Sequence, residues 1–185
     1  MNAVPSQPLL TLEPLIEAVR LGVEEEAWEL SGLQKTTSQQ FEGRWAGDTT
    51  RSAYLFFHLP SGPEWAAVDV FLDETNDGLQ GNLALVVDGC ALERMGDVGG
   101  ALATLGRLAV VHLPPGHRTP VTLRLRLADG TQPTGSAATE LRFKLVIPRR
   151  ALNDGAPAVT ALASAAVRAF RQALSDPALA PYLDP

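Results

Sequence analysis

The chain has 185 residues and a formal net charge of −6. This length predicts one domain, or at most two small ones, with enough chain to bury a core. Hydrophobic residues make up 45% of the sequence and charged residues 19%, a balance typical of a globular rather than a disordered protein. The acidic total argues against a uniformly basic nucleic-acid binder, and the single cysteine, Cys90, excludes an internal disulfide.

The N-terminal residues do not resemble a targeting segment. Residues 1–10 carry no positive charge and only a short apolar stretch, so they do not predict a signal peptide. No run of about 18 apolar residues follows, which argues against a transmembrane helix. With the single thiol, these features predict a cytoplasmic protein without a membrane partner. Residues 1–10, which include Pro5 and Pro8, are expected to form a flexible arm.

The first half of the chain changes from a helical to an alternating pattern near Glu26. Apolar residues at helical spacing predict a helix over Thr11–Leu21, with Gly22 as its stop. Alternation between turn residues then predicts an antiparallel meander. Its expected strands lie around Trp28–Gly32, Phe41–Trp45, Tyr54–Leu59, Trp65–Leu72 and Leu79–Val87, with a turn at Thr75–Gly78.

The second half predicts two helices and two clear strands. The first helix is expected over Val98–Ala109, followed by an extended piece to Leu113. The strands lie around Val121–Leu127 and Leu141–Ile147 and are joined by a mobile loop at Asp129–Thr139. The second helix runs from Pro157 to Asp176 and is capped by Asn153 or Asp154. The predicted fold class is α+β, an antiparallel β-sheet with N-terminal, middle and C-terminal helices packed mainly on one face. We assign residues 11–176 to a single domain and 177–185 to a C-terminal tail.

No catalytic or metal-binding motif stands out. The three histidines, His58, His112 and His117, are scattered, and no ligand motif accompanies them. The segment Asp73–Leu79 superficially resembles a calcium loop, but its spacing fails the ligand pattern. There is no nucleophile elbow and no phosphate-binding loop. We therefore expect a protein that is not an enzyme and holds neither a cofactor nor a metal.

Charge is distributed unevenly along the chain. Residues 1–117 carry a net −10, residues 118–150 a net +5 and the remainder a net −1. If the last two strands pair antiparallel, four basic residues share one face, and we call them the basic hairpin: Arg124, Arg126, Arg142 and Lys144. The candidate interaction surface adds three more: Arg118, Arg149 and Arg150.

Two interpretations of the basic hairpin remain open. One is a solvated outer face whose like charges are screened by salt. The other is an electrostatic surface for an acidic protein or for nucleic-acid phosphates. Nucleic acid is the weaker of these two ligands, because the sequence shows no aromatic residue interleaved on the same face as a stacking platform.

Apolar residues outside the expected core are a second clue. Phe56 and Phe57 are adjacent in a predicted strand and therefore lie on opposite faces of the sheet. Leu179, Tyr182 and Leu183 follow the end of the last helix. Further helix packing or a subunit interface would explain them, and a homodimer is the commonest oligomer. For Phe56 and Phe57, a place in the core is the favoured interpretation.

The order of elements over residues 11–175, carried by Thr11–Arg20, Val68–Asp73 and Ala101–Ala109, resembles that of the YbjN-like proteins. These proteins share the fold of the type III secretion chaperones. The resemblance implies a dimeric, non-enzymatic α+β domain that binds protein partners in a chaperone-like or adaptor capacity. It points to DNA-damage and stress-response partners, such as a DNA-repair or single-stranded-DNA-binding protein. Direct nucleic-acid binding through the basic hairpin is the alternative.

Overall fold

The computed structural model describes residues 10–37, 51–75, 77–88, 97–118, 121–126 and 140–183. Their strands form one six-stranded antiparallel sheet in the order β1-β2-β3-β4-β6-β5. The strands are β1 Glu29–Thr37, β2 Arg51–His58, β3 Ala66–Thr75, β4 Gly78–Asp88, β5 Val121–Arg126 and β6 Glu140–Val146. The helices are α1 Leu12–Glu24, α2 Val98–His112, α3 Arg149–Asp154, α4 Ala156–Leu174 and α5 Ala180–Leu183, with a 3₁₀ turn at Pro115–His117.

The predicted α+β class is confirmed, and the sheet has one buried face. Alternate residues of the central strands point into the core, among them Leu55, Val70, Leu85 and Phe143, and each is at most 1% exposed. They pack with the apolar stripes of α1, α2 and α4. We call this helix-covered side the inner face of the sheet. The opposite side, which we call the outer face, carries the remaining alternate residues.

The first helix is longer than predicted, because Gly22 does not stop it. Helix α1 continues to Glu24, and Gly22 is buried within it. A Cβ atom at Gly22 would lie 2.3 Å from the carbonyl oxygen of Thr160 on α4. Gly22 therefore allows α1 and α4 to pack closely, a role that the sequence pattern of a helix stop does not reveal.

The later helices also differ from the sequence-based boundaries. Helix α2 continues to His112, so the expected extended piece before Leu113 is wrong. The short helix α3 was not predicted, and Asn153 and Asp154 lie within it. Gly155, with a positive φ of 91°, separates α3 from α4 and occupies the cap position. Glycine adopts this φ without the strain that a side chain would bring.

The two strands of the basic hairpin pair as the alternation predicts. In the register of β5 with β6, Arg124 lies opposite Arg142 and Thr122 opposite Lys144. Strand β6 lies between β4 and β5, so β5 is an edge strand of the sheet. The expected strand at Phe41–Trp45, the loop at Asp129–Thr139 and most of the expected N-terminal arm lie outside the described residues. Leu179, assigned to the tail, is fully buried.

Candidate protein-binding face

The basic residues singled out in the sequence lie in several parts of the fold. Arg142 and Lys144 are on the outer face of β6, where they alternate with buried residues. Arg118 follows the 3₁₀ turn, and its Nε donates to the carbonyl oxygen of Leu113 at 3.3 Å.

The remaining members of the set give no further support for one basic patch. Arg149 and Arg150 begin α3 and are exposed, and Arg150 lies 3.7 Å from Asp154. The side chains of Arg124 and Arg126 lie outside the described residues. Among the described side chains, only Arg142 and Lys144 therefore place positive charge from this set on the outer face.

Three aromatic side chains lie on the outer face, and the sequence analysis did not assign them there. Tyr54 and Phe56 are alternate residues of β2, and each is more than a third exposed. Phe71 lies on β3 with its ring centroid 4.9 Å from that of Tyr54. Phe57 is fully buried, as expected, but the favoured core interpretation is wrong for Phe56. The strand period puts adjacent residues on opposite faces, and the helices of the described ranges cover only one of those faces.

The backbone of β1 leaves room for the Phe56 ring. Gly32 lies opposite Phe56 in the register of β1 with β2, next to an irregularity between Leu30 and Gly32. A Cβ atom at Gly32 would lie 3.3 Å from Cδ2 of Phe56. The Phe56 ring therefore covers the backbone at Gly32, a known arrangement of aromatic side chains and glycines on neighbouring strands. The sequence carries no signal for this contact, because it depends on the register of β1 with β2 and on the irregularity between Leu30 and Gly32.

An ion pair crosses the centre of the outer face. The guanidinium of Arg142 on β6 lies 2.9 Å from the carboxylate of Asp69 on β3, so the pair spans β4. Ala84, the β4 residue in register with Asp69, is only 2% exposed. Lys144 lies on the other side of Ala84, and its ammonium has no ion-pair partner within the part of the chain that is described.

Carboxylates balance the cations of the outer face. Asp73 is almost buried and accepts hydrogen bonds from Ser52 Oγ at 2.7 Å and Gln80 Nε2 at 3.0 Å. Asp69 and Asp88 also occupy outward positions of β3 and β4. The described outer face thus carries at least as many carboxylates as cations. A surface of this kind does not attract phosphates as a basic patch does.

The described residues do not place the candidate histidines together as an active site. His58 is half exposed on the outer face and lies 3.8 Å from Glu29, while His112 lies 3.4 Å from Asp176. Among the described residues, no cluster of three or more His, Cys, Asp or Glu side chains is arranged to hold a metal ion. A groove of about 670 Å³ between the β3–β4 turn and α3 contains Glu74, which already pairs with Arg51.

Comparison with known proteins finds no matching protein-family model, curated protein or solved structure. The resemblance to the YbjN-like proteins therefore stays a prediction. No helix in the described ranges combines the length and the apolar character needed to cross a membrane.

Proposed function

We propose that the protein is a non-enzymatic, cytoplasmic protein-binding module of the adaptor or chaperone-like kind, and that its contact surface is the outer face. The observation that carries the proposal is the group of Tyr54, Phe56 and Phe71 on the side of the sheet opposite the helices. Aromatic residues are enriched at the centres of protein interfaces, and apolar patches rimmed by polar groups are typical of interaction sites. The resemblance to the YbjN-like proteins supports the same class of function and favours DNA-damage or stress-response partners.

The exposed aromatic area is large enough to matter energetically. Tyr54 is 37% exposed and Phe56 38% exposed. With roughly 200 Å² for a whole aromatic side chain, each leaves about 75 Å² in water, and burying that area contributes about 2 kcal/mol. Contact with a partner through these two side chains would therefore carry a substantial part of a micromolar affinity.

Direct nucleic-acid binding is the second candidate, and one observation favours it. Tyr54, Phe56 and Phe71 share the outer face with Arg142 and Lys144, whereas the sequence analysis expected no aromatic residue beside these cations. Single-strand binders combine stacking aromatics with positive charge. The ion pair of Arg142 with Asp69 and the further carboxylates weaken that charge here, so we favour a protein ligand.

We expect an outer-face variant to lose its partners in an affinity capture from the native cell. The variant is Tyr54→Ser with Phe56→Ser, and its matched control is Val110→Ser with Val111→Ser, two exposed residues of α2. Each outer-face change removes up to about 2 kcal/mol of contact, or roughly 30-fold in affinity. Proteins retained by the wild type and the control should therefore be missing from the outer-face variant.

A nuclease-treated parallel capture separates the two candidate functions. Protein partners should remain after nuclease treatment if the outer face contacts protein directly. Partners that disappear with nuclease would favour the nucleic-acid alternative. An outer-face variant that retains the same proteins as the control would contradict both uses of this face.

A further inference from the structure

We propose that the outer face recognises an arginine side chain of its protein partner, which stacks on Tyr54, Phe56 and Phe71. We call these three residues the aromatic group. The inference rests on the proposed function, because it names the chemistry that the same surface recognises. It commits the partner to a segment in which an arginine is accompanied by apolar residues. Exposed ring surface, flanking carboxylates and the placement of the cations support it.

The rings of the aromatic group are adjacent and partly uncovered. Tyr54 on β2 is in register with Phe71 on β3, and their ring centroids lie 4.9 Å apart with the ring planes tilted by 47°. Phe56 is the next outward residue of β2 after Tyr54. Tyr54 and Phe56 are each more than a third exposed, and Phe71 is partly exposed. The face of an aromatic ring is electron-rich and therefore attracts cations.

Carboxylates flank the aromatic group on β3. Asp69 and Asp73 are the outward residues immediately before and after Phe71. Asp69 is also in register with Phe56 on β2. Both hydrogen bonds to the Asp73 carboxylate come from uncharged side chains, so they do not cancel its negative charge. A cation placed over the rings would therefore gain attraction from the carboxylates as well.

The cations of the outer face lie away from the aromatic group. No lysine or arginine occupies an outward position in the described residues of β1, β2 and β3, since Lys35 and Arg51 belong to the inward-facing sets of their strands. Arg142 on β6 pairs with Asp69, which leaves the charge of Asp73 without a cation among the described residues. This half of the outer face is thus complementary to a positive group and repels phosphates.

An arginine fits this surface better than a purely apolar side chain or a lysine. Apolar atoms alone would remove water from the flanking carboxylates without replacing its hydrogen bonds, which costs free energy. A guanidinium can stack its planar face on a ring and still direct N–H groups towards a carboxylate. The guanidinium is also more weakly hydrated than the ammonium of lysine, so it loses less on leaving water.

NMR of the ring protons with small probes tests this recognition directly. Nα-acetyl-arginine amide is compared with Nα-acetyl-citrulline amide, which has nearly the same shape but no charge. Ring-proton signals of the aromatic group should shift with the arginine probe. The slope of shift against probe concentration should be at least about threefold that for citrulline. Nα-acetyl-lysine amide should give an intermediate slope.

Matched variants separate the contributions of charge and ring. Asp73→Asn removes the charge and keeps the shape, and it should lower the slope for the arginine probe about twofold or more. Glu25→Gln makes the same charge change at an exposed residue that ends α1 on the helix side, and it should leave the slope unchanged. Circular dichroism must show that Asp73→Asn folds. Phe71→Leu, which retains Asp73, should also lower the slope.

A leucine variant distinguishes this inference from the proposed function. Tyr54→Leu with Phe56→Leu keeps apolar contact area but removes the ring faces, so it should capture at least about fivefold less partner than the wild type from the native cell. If it captures normally while the serine variant of the same residues does not, the inference is overturned and the proposed function survives.

The probe titrations can also overturn the inference. Equal slopes for the arginine and citrulline probes would show that the rings do not select a cation. Ring-proton shifts with a single-stranded oligodeoxynucleotide and none with the arginine probe would overturn the inference and favour the nucleic-acid alternative.

Discussion

Replacing Gly22 with alanine should lower the free energy of unfolding by about 2 kcal/mol, measured by urea denaturation. The added Cβ would lie 2.3 Å from the carbonyl oxygen of Thr160 and 3.0 Å from both Ala163 Cβ and Ser164 N. The carbonyl oxygen and the amide nitrogen are backbone atoms of α4, so relief requires the two helices to move apart. Separation would loosen the contact between α1 and α4 along its length.

The expected decrease in the free energy of unfolding is opposite in sign to the change that helix propensity alone would give. In an exposed helix interior, the same substitution stabilises by about 1 kcal/mol because alanine loses less conformational entropy than glycine. Gly99 near the start of α2 is a matched control, since it is exposed and its added Cβ would approach only Asp97 Oδ1, at 3.6 Å. Gly99→Ala should be neutral or stabilising. A stabilising Gly22→Ala would contradict the close packing of α1 on α4.

Removing the charge of Glu26 should also destabilise the fold, by about 1 to 2 kcal/mol. Glu26 lies in the turn after α1 and is 7% exposed. Its carboxylate accepts hydrogen bonds from Arg168 Nε at 2.9 Å, from Ser164 Oγ at 3.0 Å and from Arg171 Nη2 at 3.3 Å. Glu26→Gln leaves the two guanidinium groups without their anion, although both retain access to water.

The stabilisation of the fold by the Glu26 carboxylate should decrease as the pH falls. The hydrogen bond from Arg168 lowers the pKa of Glu26, with further lowering from the Ser164 hydroxyl and the charges of Arg168 and Arg171, while burial opposes the shift. A carboxylate with a lowered pKa stabilises the folded state above its unfolded pKa and loses that contribution as the pH falls through the folded value.

Urea denaturation of the wild type and Glu26→Gln across a pH series measures this contribution. The difference in the free energy of unfolding should be constant near neutral pH and should shrink below about pH 4. Comparing the two proteins cancels the contributions of other acids, including Glu13 and Glu17, whose pKa values are also lowered. A difference that stays constant at low pH would contradict the proposed role of the Glu26 charge.

The elements with the strongest periodicity were predicted most accurately. The alternation of Leu141, Phe143 and Leu145 with polar residues predicted β6, and all three are buried on the inner face. Pairing of β6 with β5 followed from their proximity in the chain. Gly22 was misassigned because a glycine between two helical turns has the same local pattern whether it ends a helix or contacts another helix.

The outer face could not be assembled from the sequence alone. Tyr54 and Phe56 belong to a continuous apolar stretch, in which periodicity does not show which residues face the helices. The row that joins Asp69, Ala84 and Lys144 depends on the pairing of β4 with β6, which lie far apart in the chain. Among the basic candidates, Arg142 and Lys144 were correctly placed on one face of the sheet, but the ion pair with Asp69 required the register.

Backbone amide NMR spectra of the labelled protein, recorded before and after adding the proteins that the wild type captures, provide the most direct test that the outer face contacts protein. Amide resonances from the part of the sheet formed by β2, β3, β4 and β6 should shift or broaden, while those of the solvent-facing side of α1 and α4 stay fixed. Tyr54→Ser with Phe56→Ser should suppress these changes. The absence of any change, or changes confined to α1 and α4, would contradict a contact surface on the outer face.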